Sequence, residues 1–204
     1  MKFHNIEKIT KAIENEIEVF SDIIDASKFR ELQKQLEKYI IRDALTLSLN
    51  RWKTEEVVNR EILRSKSDNN SLYLLMFDID NFKKINDALG HNEGDYILQR
   101  VIWDIEFHIE NTIGKTHRLG RWGGDEFVYV FPAKNKTEIK KIANDIRSMV
   151  ENLYYDNKIS SKITLSIGVA PLKKSDKIKN LIDRADKAMY KAKNRGGNRV
   201  EVSA

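Results

Sequence analysis

The sequence contains no cysteine, which excludes disulfides, thiolate metal sites and thiol catalysis. Proline is nearly absent: Pro132 and Pro171 are the only two, each closing an apolar, strand-like run. No Pro-, Gly- or Ser-rich linker and no internal repeat interrupts the 204 residues. Long hydrophobic runs are missing too. The longest, residues 72–77, is far too short to span a bilayer. The first residues, Met1 to Asn5, lack the basic start and apolar core of a signal peptide. A cytoplasmic protein with no membrane segment in this chain is therefore expected. What is present is a folded balance of 41% hydrophobic and 33% charged residues. The length suits one domain with a sizeable core plus an extra segment. A net charge of +5 suits an anionic partner without choosing among nucleotide phosphates, nucleic acid and an acidic surface.

Residues 1–42 read as a helical segment. Ile6, Ile9, Ile13, Ile17, Phe20 and Ile24 recur at spacings of three and four, and Phe29, Leu32, Leu36 and Tyr39 repeat the rhythm. A dimerising coiled coil and a helix folded onto its own domain both fit. The pattern then changes, and residues 43–204 read as a second domain. Helices are expected over 54–63, 95–109, 138–153 and 180–193. Strands are expected over 72–77, 116–122, 126–131, 163–169 and 199–202. Leu181, Ile182, Ala185, Ala188, Met189 and Ala192 should face inward from the last helix. This order suits an antiparallel-rich sheet with helices on one side, as in ferredoxin-like or polymerase-palm folds.

Two segments carry the chemistry. The buried strand over 72–77 runs into Asp78-Ile79-Asp80, and alternation puts Asp78 and Asp80 on one face. Carboxylates at a strand end are good hard-cation ligands, although Asp80 or Asn81 can equally cap a following helix. Further on, Gly123-Gly124-Asp125-Glu126-Phe127 reads as a tight hairpin turn. Its glycines leave the backbone bare for a bulky ligand, and two acids follow at once. If this hairpin packs beside the first strand, Asp125 approaches Asp78, and clustered carboxylates call for a cation between them.

Arg121-Trp122-Gly123-Gly124-Asp125-Glu126-Phe127 resembles the signature of GGDEF diguanylate cyclases. Residues 77–87 (Phe77-Asp78-Ile79-Asp80-Asn81-Phe82-Lys83-Lys84-Ile85-Asn86-Asp87) resemble that family's first metal strand and guanine segment. Gly90-His91-Asn92-Glu93-Gly94-Asp95, Ser166-Ile167-Gly168-Val169-Ala170 and the helix from Ala185 to Lys193 match three more motifs in order. The resemblance covers residues 43–203. It implies an α/β (α+β) fold with a mainly antiparallel central sheet flanked by helices. It also implies an Mg²⁺-dependent nucleotidyltransferase, with Mn²⁺ as an alternative ion, that condenses two GTP into the bacterial second messenger cyclic di-GMP. Each domain would hold one GTP, so a homodimer is part of the implied mechanism. Asp78 and Asp125 would be side-chain metal ligands, and Ile79 a ligand through its carbonyl. Asp125, Glu126 and Lys83 would form the catalytic set. Glu126 would assist at the metal or help deprotonate the 3′-hydroxyl, and Lys83 would compensate phosphate charge. Phe82, Asn86, His91, Asp95 and Lys193 would bind substrate. Asn86 and Asp95 would read guanine, since a carboxylate accepts both N1–H and the exocyclic amine. Phe82 and Lys193 would contact phosphates. His91 would lie near the base or ribose, or be a hydrogen-bonded turn histidine.

Three departures from the family pattern stand out. Leu47 and Leu49 replace the usual Gly and Pro in the segment Asp43 to Arg51. Gly197 replaces a phosphate-binding Arg, with Arg195 or Arg199 as the available substitutes. Gly114-Lys115-Thr116-His117 stands where the family's inhibitory RxxD would be, so no inhibitory product site is expected. Rival readings are a regulatory module that holds GTP or a dinucleotide without turnover, a cyclase of different base choice, and a polymerase-like enzyme. No groove of interleaved basic and aromatic residues supports a nucleic-acid partner. An upstream sensor or a separate partner would supply the input signal.

Overall fold

The computed structural model describes residues 40–68, 70–112, 119–153 and 162–203, together with Glu31. The chain divides into two compact units, Met1–Ile41 and Arg42–Ala204. The helical segment expected before residue 40 and the turn over 114–117 lie outside the described residues.

The elements of the second unit in chain order are α1 (Arg51–Asp68), β1 (Leu72–Ile79), α2 (Phe82–Leu89), α3 (His91–Thr112), β2 (Gly120–Gly123), β3 (Glu126–Pro132), α4 (Lys136–Asn152), β4 (Leu165–Pro171), α5 (Ile178–Asn194) and β5 (Arg199–Val202). The strands form one sheet in the order β2-β3-β1-β4-β5. All neighbours are antiparallel except β4 and β5. The continuous apolarity of β1 has a simple reason. It is the central strand, every residue of it is buried, and it needs apolar side chains on both faces.

Helices cover both faces of the sheet, whereas the order of elements alone suits helices on one side. Tyr73, Leu75, Phe77 and Ile79 of β1 join a core with Ile97, Val101 and Ile105 of α3 and Ile139 and Ile146 of α4. Leu72, Leu74 and Met76 join another with Val57, Val58 and Ile62 of α1 and Leu181, Ala185 and Met189 of α5. The α5 contact is tight. A Cβ on Gly168 of β4 would lie 2.1 Å from the Ala185 carbonyl oxygen and 2.3 Å from the Met189 nitrogen. Only glycine lets the helix backbone come this close.

Helix α3 begins at His91, four residues before the expected start, and so takes Gly94 into its first turns. Gly90, at φ +88°, ends α2 and redirects the chain.

Candidate functional site

The tip of β1 organises the site. Asp78 pairs in register with Glu126 of β3 on one side and Ser166 of β4 on the other. It therefore sits among sheet backbone, only 4% exposed. Beneath it, the Phe77 and Phe127 rings stack with centroids 5.6 Å apart. Burying a carboxylate is costly unless a cation compensates, and Lys193 of α5 provides one, its Nζ 2.6 Å from Asp78 Oδ2. Burial pushes the Asp78 carboxyl up to about 6; Lys193 opposes that rise, while Asp125 and Glu126 add to it. Glu126 is also raised, first by burial and then by Asp186 of α5. Asp186 thus belongs to this field of charge, a role its place in the motif from Ala185 to Lys193 does not by itself reveal. The i, i+7 spacing of Asp186 and Lys193 on one helix was the available signal.

The turn Gly123-Gly124 brings Asp125 and Glu126 to this point. A Cβ added to either glycine would meet nothing within 4 Å, and Gly124 has φ +53°. The backbone therefore faces open space beside the carboxylates, as room for a bulky ligand requires. Arg121 fixes the turn from outside: its Nε donates to the Gly124 carbonyl at 2.8 Å and its Nη1 to Asp43 Oδ1 at 2.8 Å. Trp122 lies under Arg51, whose guanidinium carbon is 4.5 Å from the ring centroid.

Asp80 departs from both expected roles. It neither joins Asp78 nor caps α2; the N-cap residue Asn81 makes no side-chain cap bond either. Its carboxylate instead accepts from Thr164 Oγ1 (2.7 Å), Ser166 Oγ (2.6 Å) and the Asn198 backbone nitrogen (2.8 Å). Asp80 is thus a tie from the end of β1 to β4 and to the turn before β5. Asn198 is held further by Arg147 and Glu151 of α4.

The remaining residues fall around this centre. Ile79 is fully buried, backbone included, within the β1–β4 ladder. Phe82 is buried in the core at the start of α2, which leaves its backbone, not its ring, for phosphate contact. Lys83 is exposed. Asn86 packs against Gly94, where a Cβ would lie 1.7 Å from its Oδ1, and among the described residues that buried oxygen has no hydrogen-bond partner. The α2–α3 junction so places Asn86 next to the turn of α3 that carries His91 and Asp95, both exposed.

Two substitutions in the loop over 43–51 also acquire meaning. Leu47 keeps φ +58°, the left-handed conformation that glycine adopts freely. Leu49 is buried; its nitrogen donates to the Leu119 carbonyl at 2.9 Å, and its own carbonyl accepts from Arg121 at 2.8 Å. A proline could not donate the first of these bonds.

The donor set around Asp78 and Asp125 is all hard oxygen, the type that Mg²⁺ prefers. Among the described residues no three Asp, Glu or His side chains form a ready cation cluster. A cation held here would therefore need oxygens beyond these carboxylates to complete its shell. Asp78, buried and compensated by a single described ammonium, fits such an ion.

A sequence model of the family described as "Diguanylate cyclase, GGDEF domain" matches residues 40–199. This chain belongs to the GGDEF family. Diguanylate cyclase DosC of Escherichia coli K12 is 37% identical over 176 residues, 85% of this chain and 37% of that protein. Diguanylate cyclase DgcM of the same strain is 32% identical over 190 residues, 90% of this chain and 45% of that protein. The chain thus spans less than half the length of these curated relatives. Among solved structures, the coiled coil and GGDEF domain of DgcB from Caulobacter crescentus, in complex with c-di-GMP, aligns with TM-score 0.78 and 25% identity. That match covers 95% of this chain and 98% of the other. The active GGEEF domain of a Vibrio cholerae diguanylate cyclase aligns with TM-score 0.69 and 31% identity, over 76% and 97% of the two chains. Among the described residues no helix is long and apolar enough to cross a membrane.

Proposed function

We propose that this chain is itself a diguanylate cyclase, joining two GTP into cyclic di-GMP where two copies meet. The single observation that carries this is the buried Asp78 carboxylate, compensated by Lys193, beside a bare Gly-Gly backbone that opens to solvent. Such a centre is costly to the fold and has no use in a purely structural turn.

Asp78, Asp125 and the Ile79 carbonyl would hold Mg²⁺, which when bound polarises the α-phosphate and steadies the leaving oxygens. The protein's own part is orientation. Asn86 and Asp95 hold the guanine edge. The backbone ahead of Phe82, together with Lys83 and Lys193, holds the triphosphate. Glu126 receives the 3′-hydroxyl proton as that oxygen attacks the α-phosphorus of the facing GTP. The bond between the α-phosphorus and the bridging oxygen breaks, and pyrophosphate leaves with the electron pair. Two such reciprocal displacements close the ring, so a homodimer is needed.

The test is pyrophosphate release from GTP and Mg²⁺ over a range of protein concentrations. Turnover should rise more steeply than linearly with concentration, give a cyclic dinucleotide, and fall at least about 100-fold in Asp125→Ala. GTP binding without release at any concentration would favour the second reading, a regulatory module. The observation behind that reading is the bare Gly197 at the phosphate end of the site.

A further inference from the structure

We propose that Arg199 is the residue that grips the terminal phosphates of the nucleotide in this chain, in place of the arginine missing at position 197. This rests on the nucleotide-binding reading above and deepens it.

The geometry starts from the sheet. Glu126, Asp78, Ser166 and Arg199 are register partners in turn across β3, β1, β4 and β5. Partners directly opposite each other point to the same face, and here that face is the one covered by α5. Two strand spacings separate Arg199 from Asp78, about 10 Å between their backbones. A ligand held at Asp78 and extending along the sheet therefore comes within reach of an extended arginine.

Position 197 cannot supply the cation. Gly197 has φ +70°, and a Cβ there would sit 3.0 Å from the Asp80 carboxylate, which is already tied to Thr164, Ser166 and Asn198. Arg195 is spent elsewhere: it pairs with Glu201 at 2.7 Å, and Lys191 shares that carboxylate at 3.2 Å. Lys193, assigned above to the triphosphate, also neutralises Asp78 at 2.6 Å, so its single charge is shared and a second cation is called for. Arg199 differs from all of these. It is exposed, and among the described residues no carboxylate pairs with it. Its Nε donates to the Gly197 carbonyl at 3.2 Å, and one terminal nitrogen lies 4.0 Å from the Cβ position of Gly196. The guanidinium thus folds over the glycine turn that caps α5, where Gly197 donates to the Ala192 carbonyl. That turn directly follows the helical turn carrying Lys193. The two bare glycines leave the space over which Arg199 lies, and its remaining N–H groups suit a phosphate in fork geometry.

The experiment is calorimetric binding of 3′-deoxy-GTP and of GMP to the full chain. The first lacks the attacking hydroxyl and so cannot turn over; the second lacks the phosphates in question. Arg199→Ala and Arg199→Gln should each weaken 3′-deoxy-GTP binding by about 10- to 100-fold and leave GMP binding unchanged. Arg195→Ala should change neither, and Arg199→Lys should keep part of the affinity. Wild-type affinity for 3′-deoxy-GTP in both Arg199 variants overturns the proposal, as does an equal loss for both ligands. If the wild-type chain itself binds neither nucleotide, the nucleotide reading fails and the assignment of Arg199 fails with it.

Discussion

Leu47 holds a left-handed backbone at φ +58° with its side chain 67% exposed. The side chain gains little from packing, while the conformation is strained for any residue with a Cβ. Leu47→Gly should raise stability by about 0.5–1 kcal/mol, the relieved strain exceeding the added entropy of the unfolded chain. A urea midpoint that moves upward with unchanged slope is the expected result. The strain was not legible in the sequence: a leucine in place of glycine shows a changed residue, not whether the backbone kept its turn. Asp80 teaches the same lesson. Its spacing from Asp78 was visible and the ladder runs on through it to Thr164, but its three side-chain partners come from residues 164, 166 and 198, far along the chain.

At the level of elements, local pattern was a good guide wherever a helix or strand had one clear buried face. The six α5 residues expected to face inward are all buried. The early start of α3 and its Gly94 were missed, because a glycine in a helix reads as a break until its neighbour Asn86 is seen filling the space. The link from β4 to α5 carries a further prediction. Asp176 is buried and pairs with Arg184, which also donates to the Pro171 carbonyl at 2.6 Å. The Arg184 hydrogen bonds hold the Asp176 carboxyl below its ordinary value of 3.8, against the opposing effect of burial. A depressed carboxyl stabilises the fold above its unfolded value and loses that contribution as pH falls through the folded one. Asp176→Asn should therefore destabilise the protein by a constant amount above about pH 5, and the gap to wild type should narrow at lower pH. Denaturant titrations at neutral and acid pH measure this; a gap that widens on acidification would contradict it.

For the whole molecule, the proposed chemistry needs two copies. One copy's hydroxyl attacks the other's nucleotide, so a dimer with one damaged site cannot close the ring. Adding an equal amount of Asp125→Ala to wild type, with total wild-type concentration fixed well above the dimerisation range, should halve the activity at most. With the total of both proteins held fixed instead, random pairing leaves about one quarter of the dimers intact, and activity should fall to that fraction. Cyclase rate against mixing ratio reads this directly, and a linear decline would mean that each copy works alone. The two-sided packing of the sheet could not be read from the order of elements, because that order is the same whichever face each helix takes.

The short outer strand β2 has its free side occupied by Leu49, which bonds to Leu119 and Arg121. An open sheet edge is a template on which stray chains add strands and aggregate. Here Leu49, which stands where proline is usual, closes part of that edge and leaves less of it open to strand addition.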